Sequence, residues 1–479
     1  MKKMEHSLQD AQPASQISTI ETVPFRLILT RNKNSEIFLL KQGGFCRLPE
    51  IVIPRKQRVA PHLNATVREK WGMVTVCLFN PQVGIIHAHE PRSHYQVLEA
   101  VNSSCCAPNG AVWVPSSSLK DLVFQRDMDR ATLWSAISQA HAHDRDNSIC
   151  TFAGSGWFDE LMGWIQNHLD IHGLKLTNNW TQYNIGPSFC LIRCETSGTA
   201  VWFKAVGNPN LREYAITMKV AQLCPAYLPK IIATHAGWHG WLALEAIGQH
   251  LDNVRDLQCW SNTAISLASL QLETTASSDA LLAAGCIDLR LARLYELIEP
   301  FLHTVDQLMA VQSATYPPIL TLSDLEGMQR KLKFACRELQ ALGFPDTLGQ
   351  TDLNPGNVIA SVDQSVFIDW AQANVSHPFF SFEYLLALLK RLHPDCESWS
   401  SYITEAYSRP WRQTYSTELV TRALQLTPMV AAFAFAVASP GWQDGTSGLE
   451  LSLAKLLRAI ARRIHREAQR IEMVGSQWE

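Results

Sequence analysis

The sequence has no apolar run of bilayer length. The longest, Met429 to Ala438, holds ten residues, where a membrane-spanning helix needs about twenty. It has no CxxC pair: twelve cysteines are scattered singly, with only Cys105 and Cys106 adjacent, so neither a zinc ribbon nor a disulfide framework is indicated. Charge of one sign is missing too. Lysine plus arginine number 41 against 44 acids, a net charge of -3, which gives no field to gather nucleic acid or an anionic membrane. Fixed-period repeats and low-complexity tracts are absent, and the N-terminus, MKKMEHSLQDAQPAS, has two early lysines but no apolar segment behind them.

What remains is a chain of 479 residues, 47% hydrophobic and 18% charged, a composition able to bury large cores without staples. The cysteines read as reduced small hydrophobes in a cytoplasmic protein.

From Phe25 to about Leu122, short β-rich runs alternate with turn residues: FRLILT, IFLLK, MVTVCLF, YQVLEAV and AVWVP. Helical periodicity follows from Leu133 to Ala142, and HDRDNSICTFAGSG then reads as a linker. Trp157 to Leu169 is amphipathic; SFCLIRCE and AVWFKAV are strands joined by the turn residues TSGT; Leu211 to Leu223 is a helix stopped by Pro225; WLALEAI is strand-like. From Leu257 helices dominate. One starts at a capping box of Ser323 and Glu326 and ends at Gly343, with Pro345 beyond.

The most informative stretch is GQTDLNPGNVIASVDQSVFIDWAQA, residues 349 to 373. VIA and VFI flank an Asp-Gln turn and predict a hairpin, with Asp352 and Asn357 in the loop before it and Asp369 at its far end. Two carboxylates and an amide oxygen then converge. Hard cations such as Mg²⁺ take oxygen ligands, which Asn357 and Asp369 offer. Asp352 is left to orient a hydroxyl and accept its proton.

This stretch resembles the catalytic loop and metal-binding strand of the aminoglycoside phosphotransferase family, the small-molecule branch of the kinase-like fold. The family reads His-Gly-Asp-Leu-His-Pro-Gly-Asn, then a strand ending Ile-Asp-Trp. Here Gln350, Thr351, Asp352, Leu353, Asn354, Pro355, Gly356 and Asn357 stand in that order, followed by Ile368, Asp369 and Trp370. Gln350, Thr351 and Asn354 depart from the pattern. The resemblance, covering about residues 155 to 470, implies a catalytic base at Asp352, Mg²⁺ ligands at Asn357 and Asp369, a phosphate-binding lysine at Lys204 and its partner at Glu213. It also implies a phosphate turn around Gly186, and an adenine-facing hinge at Glu245 and Ala246.

The first part resembles Nudix domains in IFLLKQGGFCRLPEIVIP and AVWVPSSSLKDL. In LNATVREKWGM it has Glu69 and Gly72 but not the paired glutamates of their catalytic helix, so it is expected to be hydrolytically inert.

The expected fold class is therefore α+β: a tail (1–20), a β-rich Nudix-like domain (21–143), a linker (144–156), a kinase-like small lobe (157–250) and a helical lobe (251–479). The expected function is a phosphotransferase using ATP or GTP with Mg²⁺ on a hydroxyl or amine of a small molecule. A non-catalytic pseudokinase scaffold is the alternative. The histidine pairs of HAHE (87–90) and HAHD (141–144) read as surface or loop residues rather than zinc ligands. Lys455, Arg458, Arg462, Arg463, Arg466 and Arg470, on or after an apolar helix over 449–466, read as a solvated basic face.

Overall fold

A computed structural model describes residues 21–55, 57–79, 94–101, 106–140, 154–314, 316–443 and 449–471. Both histidine pairs, Cys105, Cys150 and most of the expected linker lie outside the described residues. The architecture is mixed α and β, and the chain divides into two compact bodies. One contains the described residues up to 214 together with 230–245; the other contains 215–229 and 246 onward.

The first body opens with β1 (Thr22–Arg31), β2 (Glu36–Gln42), β3 (Phe45–Arg47), β4 (Glu50–Pro54), α1 (Val59–Trp71), β5 (Thr75–Leu78), β6 (His94–Ala100) and β7 (Ala111–Pro115). The strands form one seven-stranded sheet in the order β3-β2-β1-β6-β5, with β4 added to β1 and β7 to β2. Leu27, Ile28 and Leu29 are all fully buried, because β1 is central and both faces of the sheet are covered. On one face Leu63 and Val67 of α1 pack with Phe38 and Leu98. On the other, Ile28, Ile37 and Val97 meet α2 (Asp127–Ala140) and α3 (Trp157–Ile171) through Leu133, Ile137, Trp157 and Phe158. Within this core Arg26 donates to both oxygens of Asp129, at 3.0 and 2.8 Å, and the Tyr95 hydroxyl donates to the same carboxylate at 2.9 Å, so the buried charges are paired.

That second core continues without a break into Ile192, Phe203 and Leu242 of a five-stranded sheet. Its order is β11-β12-β10-β9-β8, from β8 (Leu176–Ile185), β9 (Phe189–Thr196), β10 (Val201–Val206), β11 (Ile231–His235) and β12 (Gly240–Leu244). The boundary expected near residue 150 thus falls between parts that share one hydrophobic core. Strand β8 was not expected. Its LTNNWTQYNI is too polar to read as a strand, and pairing with β9 makes it one. The chain leaves this body within α4 (Arg212–Leu223).

The second body is mostly helical. It contains β13 (Gln249–His250), α5 (Leu257–Glu273), α6 (Ser278–Ala283), β14 (Ile287–Leu289), α7 (Leu291–Ala310) and α8 (Leu322–Ala341). After these come β15 (Thr347–Gln350), β16 (Val358–Ala360), β17 (Ser365–Phe367), β18 (Ala373–Ser376), α9 (Phe379–Leu392), α10 (Trp399–Trp411), α11 (Thr417–Ala438) and α12 (Leu451–Arg470). The capping box of α8 is Thr321 with Asp324, not Ser323 with Glu326. The Asp324 carboxylate accepts from the Thr321 N–H at 2.8 Å, and extended backbone at Thr321 lets its hydroxyl reach back.

Helix α11 carries the ten-residue apolar run. By length and composition it could cross a membrane, yet 67% of its most apolar window is buried within the protein. The arginines of α12 are less solvated than expected: Arg458 and Arg462 donate to the carbonyls of Leu308 and Pro318, and Arg463 to Glu383. Ten cysteines are described, and eight of them are buried.

Candidate functional site

In the second body β15 runs antiparallel to β18 and delivers the chain to Asp352. The loop after it is closed by short-range bonds. The Asn354 N–H donates to the Asp352 carbonyl at 2.8 Å, Asn354 Nδ2 to Asp352 Oδ1 at 3.1 Å, and the Gly356 N–H to Asn354 Oδ1 at 2.9 Å. Asn357 Nδ2 then reaches the Asp352 carbonyl at 2.9 Å and Asp352 Oδ2 at 3.4 Å. Both carboxylate oxygens of Asp352 are therefore held by amides. A Cβ at Gly356 would stand 2.9 Å from Asn354 Oδ1 and 3.2 Å from Asp252 Oδ2, so a larger residue there would have to displace one of these side chains.

The expected hairpin is present, with Val358 opposite Phe367 and the Ile368 N–H donating to the Asn357 carbonyl at 2.9 Å. Asn357 and Asp369 consequently leave the open end of the hairpin side by side. Asp369 adopts left-handed backbone, φ 65° and ψ 64°, a conformation that non-glycine residues hold only when their surroundings enforce it. Gln350 supplies part of that enforcement. Buried at 2% exposure, it donates through Nε2 to the carbonyls of Ile368 at 3.2 Å and Asp369 at 2.6 Å. The hairpin itself is tied to α5 by a buried Thr263–Ser365 hydroxyl pair at 2.7 Å and by Asn262 Nδ2 on the Val362 carbonyl.

Burial pushes the Asp352 carboxyl above the usual carboxylate range; the amide bonds from Asn354 and Asn357 oppose that, and the charge of Asp369 adds to it. The result is a carboxyl that holds its proton more tightly than a free aspartate does. Among the described residues no three or more His, Cys, Asp or Glu form a group able to hold a metal, so a cation here would draw on few protein ligands. With Asn357 Nδ2 committed to Asp352, its Oδ1 and the Asp369 carboxylate are the oxygens that could hold a cation.

The first body holds the lysine and glutamate. Lys204 on β10 meets Glu213 at 2.5 Å, and Glu213 is fully buried. The Lys204 ammonium also lies 5.3 Å from the Phe189 ring and 5.7 Å from the Trp241 ring. Gly186 sits in the turn joining β8 to β9, closed by Asn184 Nδ2 on the Phe189 carbonyl at 2.9 Å. At Glu245 the N–H donates to the Ala200 carbonyl at 2.8 Å, and the carboxylate accepts from Arg193 and from the Trp202 indole, so that one amide is already paired. Ala246 follows directly.

Sequence reasoning passed over Gln350, Asn354 and Asn262 as site-builders. Two of them were visible as departures from the family pattern, and each departure makes a bond that shapes the loop.

No family model matches the chain, and no curated protein matches it. Solved structures do. A macrolide 2'-phosphotransferase from Brachybacterium faecium is 15% identical, with 64% of this chain and 98% of that one covered at a TM-score of 0.39. A choline kinase from Cryptosporidium parvum is 11% identical, with 65% and 95% covered at 0.44. A choline/ethanolamine kinase family protein from Mesorhizobium loti is 12% identical, with 62% and 89% covered at 0.40. At such identities the functional reading rests on the side chains themselves.

Proposed function

We propose that this chain is a small-molecule kinase moving the γ-phosphoryl group of ATP or GTP to a hydroxyl, or less often an amine, of a small acceptor. The observation that carries the reading is one loop and one hairpin that bring a half-buried carboxyl, Asp352, against the donor pair Asn357 and Asp369. The salt bridge of Lys204 with buried Glu213 is a second, separate observation in support of the reading. In this reading residues 157–250 are the nucleotide lobe and 251–479 the helical lobe of a bilobal kinase-like fold, preceded by a Nudix-like domain without hydrolase activity, in a cytoplasmic protein.

Asp352 orients the acceptor and takes its proton as the acceptor oxygen bonds phosphorus and the bond to the nucleoside diphosphate breaks. Lys204 positions the phosphates and Glu213 positions Lys204. Asn357 Oδ1 and the Asp369 carboxylate are the residues that would hold Mg²⁺, which would supply charge neutralisation.

The test is thermal unfolding with ATP, with and without Mg²⁺, on the parent and on Asp369→Ala. Metal-dependent stabilisation of the parent that the variant loses is the expected result. Stabilisation indifferent to metal in both would favour a nucleotide-binding scaffold without turnover.

A further inference from the structure

The two sheets of the first body meet at β8, just before the turn that carries Gly186. Among the described residues, strand β5 is the outer strand of the seven-stranded sheet and pairs only with β6 in it. At its open edge the Cys77 N–H donates to Gln182 Oε1 at 2.8 Å, and Gln182 Nε2 donates to the Cys77 carbonyl at 2.9 Å. A side-chain amide therefore pairs with a peptide group as a neighbouring strand would. Gln182 is 1% exposed, and Asn64 of α1 donates to the same Oε1 at 3.1 Å. Asn64 is itself held by the Thr75 hydroxyl on its Oδ1 at 3.1 Å.

The residues after Gln182 continue the attachment. The Arg58 guanidinium stands 5.5 Å from the Tyr183 ring, whose other neighbour is Trp202 at 5.0 Å. Ile185 packs against both hydrophobic cores of this body. Between Gln182 and Asn184 the β8–β9 register slips, and such a bulge re-aims the strand that carries it. Three of the four residues leading into Gly186 are thus gripped by elements of the N-terminal β-rich domain.

An exposed sheet edge is commonly blunted with charge or proline. Here it is covered by a buried amide that satisfies both peptide groups, an arrangement that holds only while the two sheets stay fixed together. We propose that the N-terminal β-rich domain is a built-in brace for the turn at 184–188, with Gln182 as the positioning residue, so that nucleotide affinity depends on a domain that does not touch nucleotide. The proposal rests on the kinase reading for the word nucleotide, and on the contacts above for the brace.

The test uses the full chain carrying Gln182→Met, which keeps length and burial but loses the amide, and separately Arg58→Ala, an exposed position that leaves the buried bonds intact. Amide hydrogen exchange over residues 183–189 is expected to quicken at least tenfold in Gln182→Met and less in Arg58→Ala. ATP KM is expected to rise several-fold while kcat stays within twofold. Unchanged exchange at 183–189 in both variants overturns the brace, as does faster exchange with unaltered ATP affinity in a parent that binds ATP. Should the parent not bind ATP while exchange still quickens, the nucleotide reading falls and the brace stands. Should Gln182→Met not fold, Arg58→Ala decides alone by the same exchange readout.

Discussion

Asp352 is a carboxyl whose proton is held more tightly in the folded chain than in the unfolded one. Stability therefore falls as pH rises from the unfolded carboxylate value through the folded one, and above that window the charged group opposes folding. Asp352→Asn should raise Tm at neutral pH, and the gain should vanish as pH drops below the ordinary aspartate range. The same substitution should lower kcat about 10²- to 10⁴-fold, the usual worth of a general base, while ATP still shifts Tm. Parallel melting curves and turnover across pH would check this: a variant as active as the parent, or one less stable at neutral pH, refutes the assignment. Gln350 acts on a neighbour rather than on substrate. Gln350→Leu removes both donors from the carbonyls that frame Asp369 and should cost about 1–3 kcal/mol. It should also weaken the Mg²⁺-dependent part of the ATP shift more than the metal-independent part.

At the scale of elements, the hairpin β16–β17 is where geometry and stability meet. Strand β13 pairs with β16 beside it, Gln249 opposite Ala360, and the chain enters that pairing through Gly248 at φ 137°. A Cβ there would stand 2.4 Å from the Ala360 carbonyl oxygen. Gly248→Ala should therefore cost more than the ~1–3 kcal/mol of backbone strain alone, measured by denaturant unfolding, and should displace the hairpin that positions Asn357 and Asp369. An unchanged midpoint would mean that β13 does not constrain the hairpin. Helix α11 teaches the complementary point. Its ten-residue run reads as apolar from sequence, and burial within the core of the second body, with Phe433 against Phe301 at 5.3 Å, explains why a helix so apolar needs no membrane.

At the scale of the molecule, the N-terminal β-rich part and the five-stranded sheet share a hydrophobic core, through Ile28 and Val97 on one side and Ile192 and Phe203 on the other. A fragment beginning at residue 154 would expose that core and strip Gln182 of its partners. It should express as aggregate or with a Tm far below that of the full chain; a soluble fragment with parental Tm would show that the lobe folds alone.

Local order made much of this protein readable from residues in a row. The loop and hairpin of the Asp352 to Asp369 block were readable because their residues are contiguous, and turn chemistry is a short-range property. The pairing of Lys204 with Glu213, which the family resemblance implied, joins a strand to the helix start that follows it. What stayed hidden depends on partners far along the chain. The strand nature of polar β8, the commitment of the Glu245 amide to Ala200, and the grip of Gln350 on Asp369 each follow from which backbone groups lie opposite once the sheets form. Tertiary packing decides which buried donors and acceptors find partners, because leaving one unpaired is costly, and that accounting cannot be done before the chain is folded.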